Sequence, residues 1–502
     1  MDAVVETRSG RVRGSVRRGV LTFLGIPYAR AATGRLRFLP PQLPEPWPGV
    51  RDCFEPGQGA PQRSALPSWL QGIVGNPVAT GEDCLRLHVF TRDAEPRRRP
   101  VLVWLHGGAF VFGSGSAPVY DGARLALEHD VVVITVNYRL GALGFGQLDA
   151  VARGGPFASN IGLRDQLAAL AWVRDNAAAF GGDPGRVTVF GESAGAMSIG
   201  ALLGSPLARG LFQRAICQSG AAHHVSSREG AARMAHALLG ALDLAPASAE
   251  RLCDVPLAAL LDAQQRASAS VPAPFGLLPW QPAQDDDVLP RPPLDAIAAG
   301  SARGVSLLLG TNRDEYNLFL LNGAVRAMDE TRLRTVITRV IGPARADAAL
   351  ALYRELLPRA LPIERWSLLQ THRVFRAPAE RLAELAAEHT RETWSYLFTW
   401  SPLLAPGRVG ACHALELPLV FGTHRRPALR MLYGGAGALS RAMQASWVSF
   451  AREGAPADPR WSAHQPGRAP HVLGPRDDAA LERFERARAL WAELGHGPRE
   501  LL

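Results

Sequence analysis

One stretch constrains the fold of this chain more than any other. RVTVFG (186–191) reads as a short buried strand and runs directly into ESAGAMSIGALLG (192–204), which reads as a tight turn and a small-residue helix. Gly191-Glu192-Ser193-Ala194-Gly195 fits the pattern G-x-S-x-G. A serine at a strand-to-helix turn sits on strained backbone, with its side chain held clear of the sheet. The flanking glycines let strand and helix pass closely without Cβ clashes. The helix that follows aims its free N–H groups and the positive end of its dipole at the place where negative charge would develop. Ser193 is therefore a candidate nucleophile. A plain Gly/Ser turn is the bland alternative, and the strand before it and the helix after it argue against that.

The rest of the chain has a matching rhythm. VLVWLH (101–106), VVVITVNY (131–138) and VSLLLG (305–310) are further short apolar runs expected as buried strands. IGLRDQLAALAWVRDNAAAF (161–180) has apolar spacing near 3.6 and stops at Gly181-Gly182, so it predicts a helix. Strand, helix, strand in this order predicts an α/β fold with a mostly parallel, doubly wound sheet. The amino-terminal residues alternate in period two around Gly10, Gly14 and Gly19, like a hairpin of short strands. Residues 228–270 and 324–392 read as helical excursions beside the sheet, 271–293 and 402–410 as long Pro/Gly loops, and 477–494 as a terminal helix. With no internal repeat and no flexible linker, residues 1–502 are expected to form one elaborated domain.

Composition removes several function classes. Hydrophobic residues are 47% and charged residues 20% of the 502, enough for a large core and unlike a disordered chain. No run of 18 apolar residues suggests a membrane span. The net charge of +9 comes from Arg alone, because the sequence has no Lys. A phosphate-binding P-loop and a pyridoxal Schiff base both need Lys, so both are excluded. The Arg residues are dispersed, and the one run, Arg97-Arg98-Arg99, is expected in a solvated loop, so no nucleic-acid partner is expected. Five widely spaced cysteines argue against a disulfide framework, and no C-x-x-C or H-E-x-x-H supports a metal site. No cofactor is called for. The amino terminus lacks a charged-then-apolar leader, which favours the cytoplasm.

His106-Gly107-Gly108-Ala109-Phe110 follows the strand VLVWL. In α/β-hydrolases such a loop supplies part of the oxyanion hole, and the residue after the nucleophile supplies the rest. Here the donors would be the N–H groups of Gly108, Ala109 and Ala194. His106 is expected to shape the loop rather than act as the base.

These motifs, with FLGIPYA, RLRFLPPQ, EDCLRLHVF, CQSG, GTNRDEYNLF and HALELPLVFG in order, give the chain a resemblance to the type-B carboxylesterases, which include bacterial esterases and the cholinesterases. The resemblance implies an α/β-hydrolase fold, with helical excursions over the active site. It also implies hydrolysis of carboxylic esters through an acyl-enzyme. It places the catalytic acid at Glu315, in Gly310-Thr311-Asn312-Arg313-Asp314-Glu315, and the base at His413, in His413-Ala414-Leu415-Glu416-Leu417-Pro418-Leu419-Val420-Phe421-Gly422. From the residues alone, Asp314 is a rival acid. His372 and His389 fall in helical patterns and read as packing or surface residues. Glu192 and Ser219 resemble polar positions supporting the site. Arg139 with Asp165, and Arg37 with Glu82, resemble structural ion pairs. Phe275, Leu277 and Leu278 lie just before a segment resembling the family's acyl-side loop, which implies an apolar substrate pocket.

The chain also departs from the family pattern. Ala60 stands where the family has the partner of the E-D-C-L cysteine, leaving Cys84 without it, although Cys53 is near in sequence. Tyr316 replaces the usual glycine after the acidic pair. The implied partner is a small-molecule ester, and the implied assembly a monomer or homodimer. Two other readings stand beside esterase: amide or carbamate hydrolysis on the same residues, and a binding protein of the kind that lost its catalytic residues.

Overall fold

The structure is a computed structural model that describes residues 2–63, 79–152, 154–270, 278–321, 328–390, 392–403 and 409–493. The four apolar runs are all strands of one sheet. They are β6 (Arg99–Leu105), β7 (Val132–Val136), β8 (Gly182–Glu192) and β10 (Ser306–Asn312). Together with β9 (Arg214–Gln218), β11 (Thr393–Phe398) and β12 (His471–Leu473) they form a parallel block in the order β7-β6-β8-β9-β10-β11-β12. β5 (Arg86–Thr91) pairs antiparallel with β7. Beyond it lie β3 (Val20–Pro27), β2 (Gly10–Arg17) and β1 (Asp2–Thr7), also antiparallel, with β4 (Val50–Asp52) added beside β2. The expected amino-terminal hairpin is this antiparallel edge.

Both faces of the parallel block are covered, which is why its strands read as nearly unbroken apolar runs. Alternate residues enter opposite cores. Val101, Val103, Leu105, Val187 and Val189 belong to one cluster, and Leu102, Trp104, Phe190, Ile216 and Leu308 to the other. A third cluster lies in the helical excursion, where Leu333, Ile337, Leu350, Tyr353 and Trp366 meet Ala487 and Trp491 of the terminal helix Asp478–Glu493.

Several boundaries differ from the sequence reading. β7 is shorter than the run 131–138. β8 starts four residues before RVTVFG, because Gly182 pairs with Arg99 ahead of a register shift. The helix expected over 161–180 spans Ile161–Asn176. It ends in a 3₁₀ turn, Ala177–Phe180, closed by Gly181 at φ 78°. The Arg97–Arg99 run is not wholly solvated. Arg99 begins β6, is buried, and bonds Asp93 and Asp130 (2.7 Å each). Both expected structural pairs form. Arg139 grips Asp165 through two bonds (2.8 and 2.6 Å), and Arg37 grips Glu82 the same way (2.6 and 2.9 Å). Cys53, Cys84, Cys217, Cys253 and Cys412 are all buried and unpaired, so Cys53 and Cys84 form no bridge. Among the described residues, no helix is long and apolar enough to cross a membrane, and no cluster of side chains could hold a metal ion.

Candidate active site

Strand order reverses at β6, whose neighbours β7 and β8 lie on opposite sides, and such a switch opens a crevice at the carboxyl ends of the strands. Ser193 sits there, between the end of β8 and the helix Ala194–Gly204, with φ 54° and ψ −125°. A non-glycine residue in such a conformation costs about 1–3 kcal/mol. The turn is clamped from both sides. The Ser193 N–H donates to the Gln218 carbonyl (2.9 Å), and the Ser193 carbonyl accepts from Met197 (2.8 Å). Gly195 is required for close approach, since a Cβ there would overlap the Leu105 carbonyl of the neighbouring strand. Ser193 itself remains partly accessible.

The loop after β6 presses against this turn. A Cβ on Gly107 would stand 2.6 Å from a Glu192 carboxylate oxygen and 3.1 Å from the Ser193 Cβ. Gly108, Ala109 and Phe110 all have positive φ (118°, 53° and 60°), a run that turns the backbone sharply beside Ser193. Among the described residues, the N–H groups of Gly108 and Ala109 donate to no backbone acceptor. Ala194 opens its helix, so its N–H has no acceptor within the helix. His106 does shape the loop. Its ring stacks on Tyr138 (4.5 Å, 18°), its Nδ1 lies 2.8 Å from the Gly107 carbonyl, and burial pushes its pKa down to about 4.

Glu315 and His413 meet, although 98 residues separate them. Glu315 is fully buried at the start of a 3₁₀ turn after β10. It accepts from the Asn312 N–H (2.7 Å) through Oε1 and lies 2.7 Å from His413 Nδ1 through Oε2. Asp314, the rival acid, turns away and accepts from the Ala411 N–H (2.8 Å) and Arg313 Nε (2.9 Å). The His413 loop is held by Asn312, whose side-chain amide donates to the Cys412 carbonyl (2.8 Å) and to Glu416 (2.7 Å). Rings of Phe375 and Phe319 cover the imidazole, with centroids 4.8 and 5.4 Å away.

The other ring nitrogen, Nε2, lies 3.0 Å from Glu192 Oε1. That oxygen is buried without a hydrogen bond, so the contact is one of charge rather than a directed bond. Burial works to lower the His413 pKa, but the charges of Glu192 and Glu315 outweigh it and hold the pKa well above the ordinary value. Glu416 has the opposite environment. Burial, then the Glu192 charge, pushes its pKa up to about 7. It accepts from Gln218 (3.0 Å) and Asn312, and Gln218 in turn accepts from the Trp447 indole (3.0 Å).

Sequence reasoning included Glu416 in its motif but gave it no part. The signal was a glutamate three residues after the histidine. The two phenylalanines carried no signal, because nothing in their neighbourhood separates a ring lining a site from one in the core. Ser219 is fully buried at φ 52°, with its N–H bonded to the Gly310 carbonyl (2.8 Å) and its hydroxyl unpartnered. Tyr316 does not turn toward the imidazole. Its ring packs on Phe319 and Trp366 (5.2 and 6.3 Å), and its N–H donates to Thr371. His372 is a satisfied packing residue against the Tyr353 hydroxyl (2.8 Å), and His389 bonds the Ala298 carbonyl at the surface. Phe275 and Leu277 lie outside the described residues. Leu278 is half-buried against the main core.

Comparison with known proteins identifies the family. The chain is 41% identical over 456 residues to the para-nitrobenzyl esterase of Bacillus subtilis (strain 168), covering 90% of each chain. It is 33% identical over 493 residues to a cocaine esterase of Homo sapiens, covering 90% of this chain and 83% of that one. A solved structure of a Geobacillus stearothermophilus carboxylesterase superposes with a TM-score of 0.85 at 39% identity, covering 97% of this chain and 99% of that one. A solved para-nitrobenzyl esterase gives 0.83 at 38% identity, covering 94% and 96%. The fold is that of the α/β-hydrolases and the activity is hydrolysis of carboxylic esters. With the model of the carboxylesterase family matching residues 1–482, the chain belongs to that family.

Proposed function

We propose that Ser193, His413 and Glu315 act in series as nucleophile, base and acid in ester hydrolysis. The observation that carries the reading is the 2.7 Å contact between Glu315 and His413 Nδ1, on a ring whose Nε2 approaches the residue before Ser193. Glu315 holds the proton on Nδ1, and in the neutral ring Nε2 leaves Glu192 to take the Ser193 proton as the hydroxyl attacks the ester carbonyl. The N–H groups of Gly108, Ala109 and Ala194 receive the developing oxyanion. His413 then protonates the leaving alcohol, and water repeats the sequence on the acyl-enzyme. Glu192 and Ser219 support the site without entering the reaction, and the substrate is a small-molecule ester. The five unpaired cysteines suit a reducing compartment, which supports a cytoplasmic location.

Ser193→Ala tests this. Turnover of a phenyl ester is expected to fall by about 10⁴-fold or more, with the thermal melt nearly unchanged. A fluorophosphonate probe should label the wild type at Ser193 and leave the variant unlabelled. Retained turnover, or a label mapped to another serine, would overturn the assignment.

A further inference from the structure

Phe375 covers the His413 imidazole from a π-helical turn, Thr371–Arg376, set between the helices Pro362–Gln370 and Ala377–Ala387. A π turn bonds residue i to i+5, which brings Thr371 and Arg376 toward one side. An α-helix would set them about 140° apart. Both ends of the turn grip the loop that holds the acid. Thr371 Oγ1 accepts from the Tyr316 N–H (3.1 Å), one residue after Glu315. Arg376 Nη1 donates to Thr311 Oγ1 (3.0 Å), one residue before Asn312, whose own N–H bonds Glu315. Between these two grips lies Phe375, itself buried, with its ring 4.8 Å from the imidazole centroid. Phe319, the other ring over the imidazole, is 38% exposed, so Phe375 is the firm side of the cover.

Arg376 is buried, yet it bonds unlike the sheltered arginines described above. Arg37, Arg99 and Arg139 each grip a carboxylate. Arg376 instead bonds the Thr311 hydroxyl and the Tyr396 carbonyl (3.4 Å), and its guanidinium lies 4.9 Å from the centre of the Phe484 ring. An apolar side chain of similar volume would fill the space at least as stably. The charge and its directed bonds therefore point to a use other than stability.

Phe484 belongs to the terminal helix Asp478–Glu493. Its ring also meets His372 edge-on (5.3 Å, 77°). His372 bonds the Tyr353 hydroxyl (2.8 Å), which accepts from the Trp491 indole of the same helix (3.0 Å). The terminal helix thus braces the π turn on either side of Phe375, at His372 and at Arg376.

We propose that Arg376 is a positioning residue for the base. Bonded to Thr311 and packed against Phe484, it fixes the π turn so that Phe375 keeps the His413 ring turned to Glu315. The terminal helix is then a support of that imidazole. The proposal rests on Ser193, His413 and Glu315 acting in series.

Hydrolysis of phenyl acetate tests it in Arg376→Met, Arg376→Lys, Phe375→Leu and the variant carrying both Arg376→Met and Phe375→Leu. Turnover is expressed per serine labelled at end point by a fluorophosphonate, so that misfolded protein is not counted. Arg376→Met is expected to lower kcat by about tenfold or more, the scale of a misplaced reacting group, with KM changed by less than about twofold. Arg376→Lys keeps the cation and should recover most of that loss. In the Phe375→Leu background, Arg376→Met should lower kcat by less than about threefold, because Arg376 acts through the ring. A role in stability alone would lower the thermal melt and leave kcat per labelled serine unchanged, which would overturn the proposal. Losses that multiply in the double variant would overturn it too. Should Arg376→Met fail to fold, Phe484→Leu takes its place in the same cycle, with the same loss expected and the same outcomes against it. A wild type that takes up no label would overturn the serine chemistry first.

Discussion

At His413 two effects oppose each other. Burial disfavours the imidazolium, and the facing carboxylates of Glu192 and Glu315 favour it more strongly, so the pKa is raised. Two consequences follow with opposite bearings. In its proposed role as base His413 works only when neutral, so kcat/KM should fall as pH drops through the His413 pKa. The charged form, by contrast, stabilises the fold. That contribution is complete below the ordinary imidazole value of 6.5 and is lost as pH rises through the raised folded value. Glu192→Gln removes one of the two charges and should lower the His413 pKa. The acid limb of the kcat/KM–pH profile is then expected to move to lower pH. An unmoved limb would mean that Glu192 does not act on the imidazole.

The elbow formed by β8, Ser193 and the following helix depends on how closely that helix crosses β6. In Gly195→Ala the new methyl meets backbone, the Leu105 carbonyl, which cannot swing aside as a side chain could. Overpacking of this kind costs about 1–3 kcal/mol. A urea midpoint lowered accordingly, with activity lost by more than the stability change explains, is the expected result. A variant as stable and active as the wild type would show that the strand and helix have room to separate. This element was legible in the sequence, because strand, G-x-S-x-G and small-residue helix are contiguous. β9 and β11 were not, since RAICQ and TWSYLF are too short and too mixed to stand out from buried helix or loop. The π-helical turn at 371–376 was hidden as well, because its side-chain pattern runs on from the helix before it. The meeting of Glu315 with His413 came from family motifs rather than periodicity.

Across the molecule, Arg139 and Asp165 tie distant layers together. Asp165 belongs to the helix Ile161–Asn176. Arg139 follows β7 and also donates to the carbonyls of Arg37 (3.2 Å) and Leu39 (2.8 Å) in the amino-terminal segment. Breaking a buried pair leaves an uncompensated charge, so Asp165→Ala is expected to cost about 3–5 kcal/mol in denaturant unfolding. A loss under about 1 kcal/mol would mean that water reaches the guanidinium and replaces the carboxylate. The unpaired cysteines predict a further property of the whole chain: melting temperatures with and without a reducing agent should coincide, and a downward shift on reduction would reveal a bridge.

Glu192, Glu315 and His413 come from distant parts of the chain and meet beside Ser193 once β8, β9 and β10 have paired. A refolding chain that has assembled its middle strands already owns a shaped serine turn but lacks the imidazole proposed as its base. Recovered turnover therefore times the arrival of the carboxyl-terminal third, and any fluorescence change tied to Trp172, which packs on Phe180, should run ahead of it.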